Sequence, residues 1–387
     1  MHLPRRLLLA GIGSAAVATV TGCDSHRATS ATPTTTPTPS GTLGGGDAAL
    51  RRKIASLLVV GFRGTQVTAN DWIVKAIKGG LGGVILFDQD LETKSVRNIQ
   101  SPQQVTALVK TLKDASPGRL IVSIDQEGGD TSRLNPSNGF PATKSQAEIG
   151  AENSPTATRD WARGLVADLT RIGVNFNYTP VVDLNINPES RAIGKLGRSF
   201  SADPNVVVSN ATEEIQAHRA AGVKTNLKHF PGLGSAAGNT DFEVVDVTDT
   251  WREVELEPFQ RLIQAGLADS IMAAHILNRN LDPNNPASLS TATVTGLLRG
   301  RLGWRGPVVS DDMQAAAITR RYSAADAVGL ALQAGLDLLV FANQQVYNPQ
   351  VVEQTIDTIV NLVRSGQLGE NRIDESVARV DTLRPKR

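Results

Sequence analysis

The sequence holds a single cysteine in 387 residues, which excludes a disulfide-stapled scaffold and a cysteine-based zinc site. Neither sign of charge is in excess. Lys and Arg number 39 against 38 Asp and Glu, a net charge of +1, which argues against nucleic acid as a partner, since a polyanion binder relies on bulk basicity. Long apolar runs are missing too: the stretch from Leu7 to Val20 is too short and too weakly apolar for a stable transmembrane span. Histidines number five, and His229 and His275 show neither His-x-His nor His-Glu-x-x-His spacing, so no metal site is expected. With 40% hydrophobic and 20% charged residues, wholesale disorder, a collagen-like repeat and a polytopic membrane protein are also excluded.

What is present begins with a leader. Arg5 and Arg6 precede the Ala- and Gly-rich apolar stretch, the pattern of an export signal. It ends in Val20-Thr21-Gly22-Cys23, which resembles the bacterial lipobox, and this accounts for the only cysteine. Residues 1–22 are expected to be a lipoprotein signal peptide and Cys23 the lipidated N-terminus, anchored on the outer face of the cytoplasmic membrane. Residues 23–46 are Thr-, Pro-, Ser- and Gly-rich, with Pro33, Pro37 and Pro39 among threonines. Such a segment buries too little apolar surface to offset its ordering entropy and is expected to be a tether. The folded part is expected over 47–387.

There, short apolar runs alternate with amphipathic stretches. The runs are Ser56 to Phe62, Gly83 to Phe87, Leu120 to Asp125, Val174 to Asp183, Lys224 to Phe230, Ser270 to Ile276, Pro307 to Asp311 and Asp337 to Phe341. Helical spacing spans Trp161 to Arg171, Val206 to Ala221, Glu255 to Gly266 and Ala324 to Ala334. Eight strand candidates separated by helix-length segments predict an α/β fold, a single-domain (β/α)8 barrel of the TIM type. No leftover segment is large enough for a second domain. Polar residues end five of the runs, at Asp125, Asp183, Lys228 with His229, His275, and Asp311 with Asp312. In barrel enzymes that C-terminal rim is where sites are built.

Ile124-Asp125-Gln126-Glu127-Gly128-Gly129 with Arg133, then Gly197-Arg198-Ser199-Phe200, Lys228-His229-Phe230-Pro231-Gly232 and Ser310-Asp311-Asp312 together resemble glycoside hydrolase family 3, in its single-domain β-N-acetylglucosaminidase branch. The resemblance implies retaining hydrolysis of terminal β-linked N-acetylglucosamine, without a cofactor; a monomer is expected, with the carbohydrate as one partner and, through the N-terminal lipid of the leader, the membrane as the other. It also implies Asp311 as nucleophile, with Asp125, Arg133, Arg198, Lys228 and His229 as sugar contacts, and His275 as support at the pocket floor. Peptidoglycan fragments at the cell envelope are the implied substrate.

One loop departs from the pattern. Where the branch carries His-Gly and then Asp-Ser-His, whose His is the acid/base, this chain reads Leu233-Gly234-Ser235-Ala236-Ala237-Gly238-Asn239-Thr240-Asp241. Aligned without a gap, Asp241 takes the place of the histidine, and Glu243 competes for it. A carboxylic acid serves if its pKa is raised. An anionic carboxylate there would disfavour a phosphate acceptor, so hydrolysis is expected over phosphorolysis. A β-glucosidase of the same family and a catalytically impaired cell-wall-binding lipoprotein remain the alternatives.

Overall fold

The computed structural model describes residues 45–116 and 119–385. The signal peptide, Cys23 and nearly all of the tether lie outside the described residues; the first helix runs Gly45–Ala55. Eleven strands follow in chain order. These are β1 (Leu58–Gly61), β2 (Gly83–Leu86), β3 (Ile121–Ile124), β4 (Gln126–Gly128), β5 (Thr131–Ser132), β6 (Phe176–Asn177), β7 (Lys224–Thr225), β8 (Leu227–Phe230), β9 (Ile271–Ala273), β10 (Val308–Asp312) and β11 (Leu338–Phe341). Nine of them form one sheet in the order β7-β6-β3-β2-β1-β11-β10-β9-β8, and the pairings are all parallel. Its two ends, β7 and β8, are halves of one run split at Asn226, so the sheet curls round to a nearly closed barrel. A parallel bridge between Val181 and Lys228 narrows the gap.

Composition explains these strands. β1 to β3 read Leu-Val-Val-Gly, Gly-Val-Ile-Leu and Ile-Val-Ser-Ile, buried throughout, as parallel strands covered on both faces must be. The expected run from Val174 to Asp183 is a strand only at Phe176–Asn177 and pairs again at the Val181 bridge; Pro180 between them has no N–H for the ladder. The run from Lys224 to Phe230 breaks at Asn226, whose N–H turns to the carbonyl of Thr179 at 2.9 Å.

Helices cover the barrel. The helix Pro155–Ile172 starts under a Ser154 cap that accepts the Ala157 N–H, and stops at left-handed Gly173. It buries Ala162, Leu165, Val166, Leu169 and Ile172, each large aliphatic contributing about 1.5–3 kcal/mol. The helix Ala324–Ala334 has the predicted bounds, capped by Ser323 and ended by Gly335.

The antiparallel hairpin β4–β5 stands beyond the end of β3. Its turn requires glycine: Gly128 has φ +94°, and a Cβ there would lie 2.3 Å from the carbonyl oxygen of Lys144. At Gly234 a Cβ would lie 1.6 Å from the Leu184 carbonyl oxygen, so the loop after β8 packs directly on the loop after β6. These contacts set the height of the rim loops.

Candidate active site

A cavity of about 460 Å³ opens among the loops that follow the strands, within the usual range for small-molecule sites. Asp125, Arg133, Arg198, Lys228, His229, Asp241 and Asp311 all line it. Residues from 125 to 311 in the chain thus meet in one place.

Asp311 stands near the end of β10, behind the buried Val308, Val309 and Ser310, and faces the cavity. Its Oδ1 accepts the N–H of Asp312 at 2.9 Å. Asp312 instead fastens the rim: its Oδ1 accepts the N–H of Gln314 at 3.1 Å and of Ala342 at 2.9 Å, joining β10 to β11. Burial, then the charges of Asp241 and Asp311, push its carboxyl up to about 7.

His275 is placed differently from expectation. It lies behind the cavity wall, fully buried, with Nε2 2.9 Å from the carbonyl oxygen of Asp312 and Nδ1 2.6 Å from Ser288 Oγ. A carbonyl only accepts, so Nε2 carries the proton, and Nδ1 takes the serine O–H. Burial lowers its pKa, and the neutral ring braces the backbone beneath Asp311 rather than forming the pocket floor.

The basic residues are paired. Lys228 Nζ lies 2.7 Å from both Asp125 Oδ1 and Glu127 Oε1. Arg198 grips Glu127 with two hydrogen bonds of 2.7 Å, a fork that fixes both side chains. Burial opposes the charge on Glu127, but Arg198 and Lys228 outweigh it and hold the carboxyl well below the usual range. His229 Nδ1 sits 2.7 Å from Asp183 Oδ2, and Asp183 also accepts the N–H groups of His229 and Leu233. Arg198 and Lys228 are therefore members of an ion network that lines the cavity. From sequence Asp183 is placed on the rim without a role, and Glu127 is not singled out. Glu127 could have been, because positions two apart on an extended segment share a face with Asp125. Arg133 alone keeps an open guanidinium: its Nε is buried without a hydrogen-bond partner among the described residues, and its carbon lies 5.5 Å from the centroid of the Phe87 ring.

The loop after β8 separates the two acid candidates. Asp241 takes its turn from Asn239, whose Oδ1 accepts the Asp241 N–H at 2.9 Å, and its side chain lines the cavity. Burial first, then the charge of Asp311, push its carboxyl up to about 6. Asp311 is held below the ordinary range: burial opposes ionisation, but the field of His229, the Asp312 N–H and the charge of Lys228 favour it. In this pair the proton belongs on Asp241 and the charge on Asp311. Glu243 is absent from the cavity wall, ion-paired with Arg191 and accepting the N–H of Asn239.

A parallel barrel whose rim cavity holds two carboxyls, one held low and one pushed up, has the arrangement that the class of glycoside-cleaving enzymes uses. The sequence agrees: the pattern described as "Glycosyl hydrolase family 3 N terminal domain" matches residues 49–383. The chain belongs to glycosyl hydrolase family 3. A β-hexosaminidase of Xylella fastidiosa is 33% identical over 329 residues, covering 81% of this chain and 92% of the relative. One from Tolumonas auensis is 36% identical over 274 residues, covering 68% and 76%. Among solved structures, the family 3 β-N-acetylglucosaminidase from Paenibacillus sp. str. FPU-7 superposes with a TM-score of 0.78 at 32% identity, over 86% of this chain and 62% of that one. The β-N-acetylhexosaminidase from Beutenbergia cavernae gives 0.76 at 30%, over 86% and 97%.

Proposed function

We propose that the protein is an exo-β-N-acetylglucosaminidase that hydrolyses terminal β-linked N-acetylglucosamine with retention. The observation that carries this reading is the pair of carboxyls lining one cavity, with Asp241 pushed up to about 6 by burial and the charge of Asp311, and Asp311 held below its ordinary value. Asp311 attacks the anomeric carbon as Asp241 gives its proton to the leaving oxygen; Asp241 then takes a proton from the water that releases the sugar. Arg133 lines the same cavity and offers its guanidinium to the sugar. The network of Asp125, Glu127, Lys228 and Arg198 presents fixed polar atoms to its hydroxyls at no cost in reorganisation.

Water is the acceptor in this reading, because Asp241, deprotonated once the leaving group has taken its proton, places an anion where the acceptor must enter and repels a phosphate. Peptidoglycan fragments are the proposed substrates, at the outer face of the cytoplasmic membrane, with Cys23 carrying the lipid. The enzyme is tested with aryl β-N-acetylglucosaminide and aryl β-glucoside, each with and without phosphate. Cleavage of the first alone, unaffected by phosphate, is expected; equal cleavage of the glucoside, or a sugar phosphate as product, would overturn it. Mass spectrometry of the mature N-terminus tests the anchor, and an unmodified Cys23 would refute it.

A further inference from the structure

Charge is divided between the two ends of the barrel. The whole chain carries a net charge of only +1, yet the cavity, at the end where the strands stop, is lined by seven acidic residues against three lysines and arginines. At the opposite end, where the strands begin, each carboxylate is shared among several bases. Asp269, just before β9, takes Arg219 at 3.1 Å and Lys224 at 3.4 Å. Asp337, just before β11, takes Arg299 at 2.7 Å, Arg372 at 3.1 Å and Arg379 at 3.0 Å; Arg379 has a second carboxylate in Glu375. Asp381 takes Arg119 at 2.5 Å and Arg384 at 3.4 Å. Arg384 fixes that group at the same end by donating to the carbonyls of Ser56 and Gly82, which precede β1 and β2.

Two further bases here are exposed and pair with no carboxylate among the described residues: Lys78, which ends the helix Trp72–Lys78 ahead of β2, and Arg305, in the loop ahead of β10. The surplus of positive charge therefore spans the starts of strands all round the barrel. The large apolar side chains exposed among the described residues lie instead in loops at the cavity end, so the basic end holds a partner by charge and not by insertion. The chain also enters the fold here. Asp47, in the first turn of the helix Gly45–Ala55, pairs with Arg364, in the last turn of the helix Val351–Arg364. That helix descends from β11, and just beyond it the Gln367 carbonyl accepts from Gln333, which precedes β11, at 3.4 Å. Whatever precedes Gly45 joins the barrel at its basic end.

We propose that this basic end lies against an anionic lipid bilayer and turns the mouth of the cavity away from it. A flat anionic surface fits because the surplus is spread across many strand starts. Lys and Arg are attracted to such a surface within about a Debye length, while the acidic cavity end is repelled, so the two ends together set the orientation. A lipid on Cys23 would reach the bilayer from the same end, and a basic patch adds to the hold of acyl chains. The proposal does not depend on the hexosaminidase reading.

The test is cosedimentation of the full chain with vesicles of phosphatidylglycerol or of phosphatidylcholine. An N-terminal lipid partitions into both, so the preference for phosphatidylglycerol reads the charged face. A preference of about tenfold or more is expected at about 0.05 M salt and is expected to vanish at about 0.5 M, where screening is short-ranged. Lys78→Gln with Arg305→Gln should reduce the preference about tenfold or more, each base near the surface being worth about fivefold. Lys94→Gln with Arg320→Gln, which removes two exposed bases from the cavity end, should leave it unchanged. Equal losses in the two double variants would mean that only net charge matters and would overturn the proposal, as would a preference that neither variant moves. Binding of soluble poly(glycerol phosphate) as tight as binding of the vesicles, and lost with the same two substitutions, would assign the face to a wall polymer and overturn it too. Orientation is read by quenching from a nitroxide lipid: a fluorophore on Lys78→Cys should be quenched more than one on Arg320→Cys, and the reverse order would refute the placement.

Discussion

The protonation of Asp241 gives the sharpest test of the chemistry. Burial and the charge of Asp311 push its carboxyl up to about 6. A single titration then leaves the protonated fraction at about 0.9 at pH 5, about 0.1 at pH 7 and about 0.01 at pH 8, a tenfold loss for each unit above the pKa. The kcat/KM for an unactivated disaccharide is therefore expected to fall about tenfold from pH 5 to pH 7 and tenfold again to pH 8. A dinitrophenyl glycoside, whose leaving group departs without a proton, is expected to fall far less. Asp312, pushed up to about 7, titrates nearby, so Asp312→Asn serves as the control that keeps the limb near pH 6. In Asp311→Asn, which turns nothing over, the charge opposing ionisation is gone, and the Asp241 titration, followed by carboxyl NMR, is expected to move down. A disaccharide rate that rises through pH 6, or an Asp241 titration that stays in place without the Asp311 charge, would refute the assignment of proton and charge within the pair.

Asp241→Ala is expected to cost unactivated substrates about 10² to 10⁴ in rate while sparing the first step on dinitrophenyl glycosides. Azide should then restore release of the sugar from Asp311; rescue in Glu243→Ala instead would move the role to Glu243. Glu214 is a buried carboxyl pushed up to about 8 by burial, its Oε2 without a partner among the described residues. The folded state keeps this proton where the unfolded chain releases it, so stability should fall as pH rises from about 4.5 to about 8. Glu214→Gln should flatten that fall and add at most about 3 kcal/mol at pH 7 in urea unfolding; an unchanged pH slope would show that the carboxyl is ionised in place. Arg97, fully buried, donates to Asp90 Oδ2 and to the carbonyls of Phe62, Ala342 and Asn343. Arg97→Met should destabilise the barrel by about 3–5 kcal/mol, and a loss below about 1 kcal/mol would show that these acceptors find other partners.

Local sequence alone determined the strands of this barrel, because a strand buried on both faces has to be a short β-branched apolar run, as at Val59-Val60, Val84-Ile85 and Val308-Val309. It also marked the rim, since polar residues close these runs there and three of them, Asp125, Lys228 and Asp311, line the cavity. Helix ends were legible where Ser caps and left-handed Gly stops stand, at Ser323 and Gly335. Partnership was not legible. Arg198 and Glu127 lie 71 positions apart and meet only because the hairpin after β3 and the loop after β6 are neighbours on the rim; no spacing rule reaches across such a gap. Asp241 and Glu243 are equivalent acids in the chain, and only the fold separates them: the turn at Asn239 leaves Asp241 lining the cavity, while Glu243 pairs with Arg191. His275 ends a strand just as Asp311 does, yet the Asp312 carbonyl and Ser288 hold its ring behind the wall. Periodicity is set by each residue's immediate neighbours, whereas charge, tautomer and access at a site depend on atoms that closure of the sheet brings together.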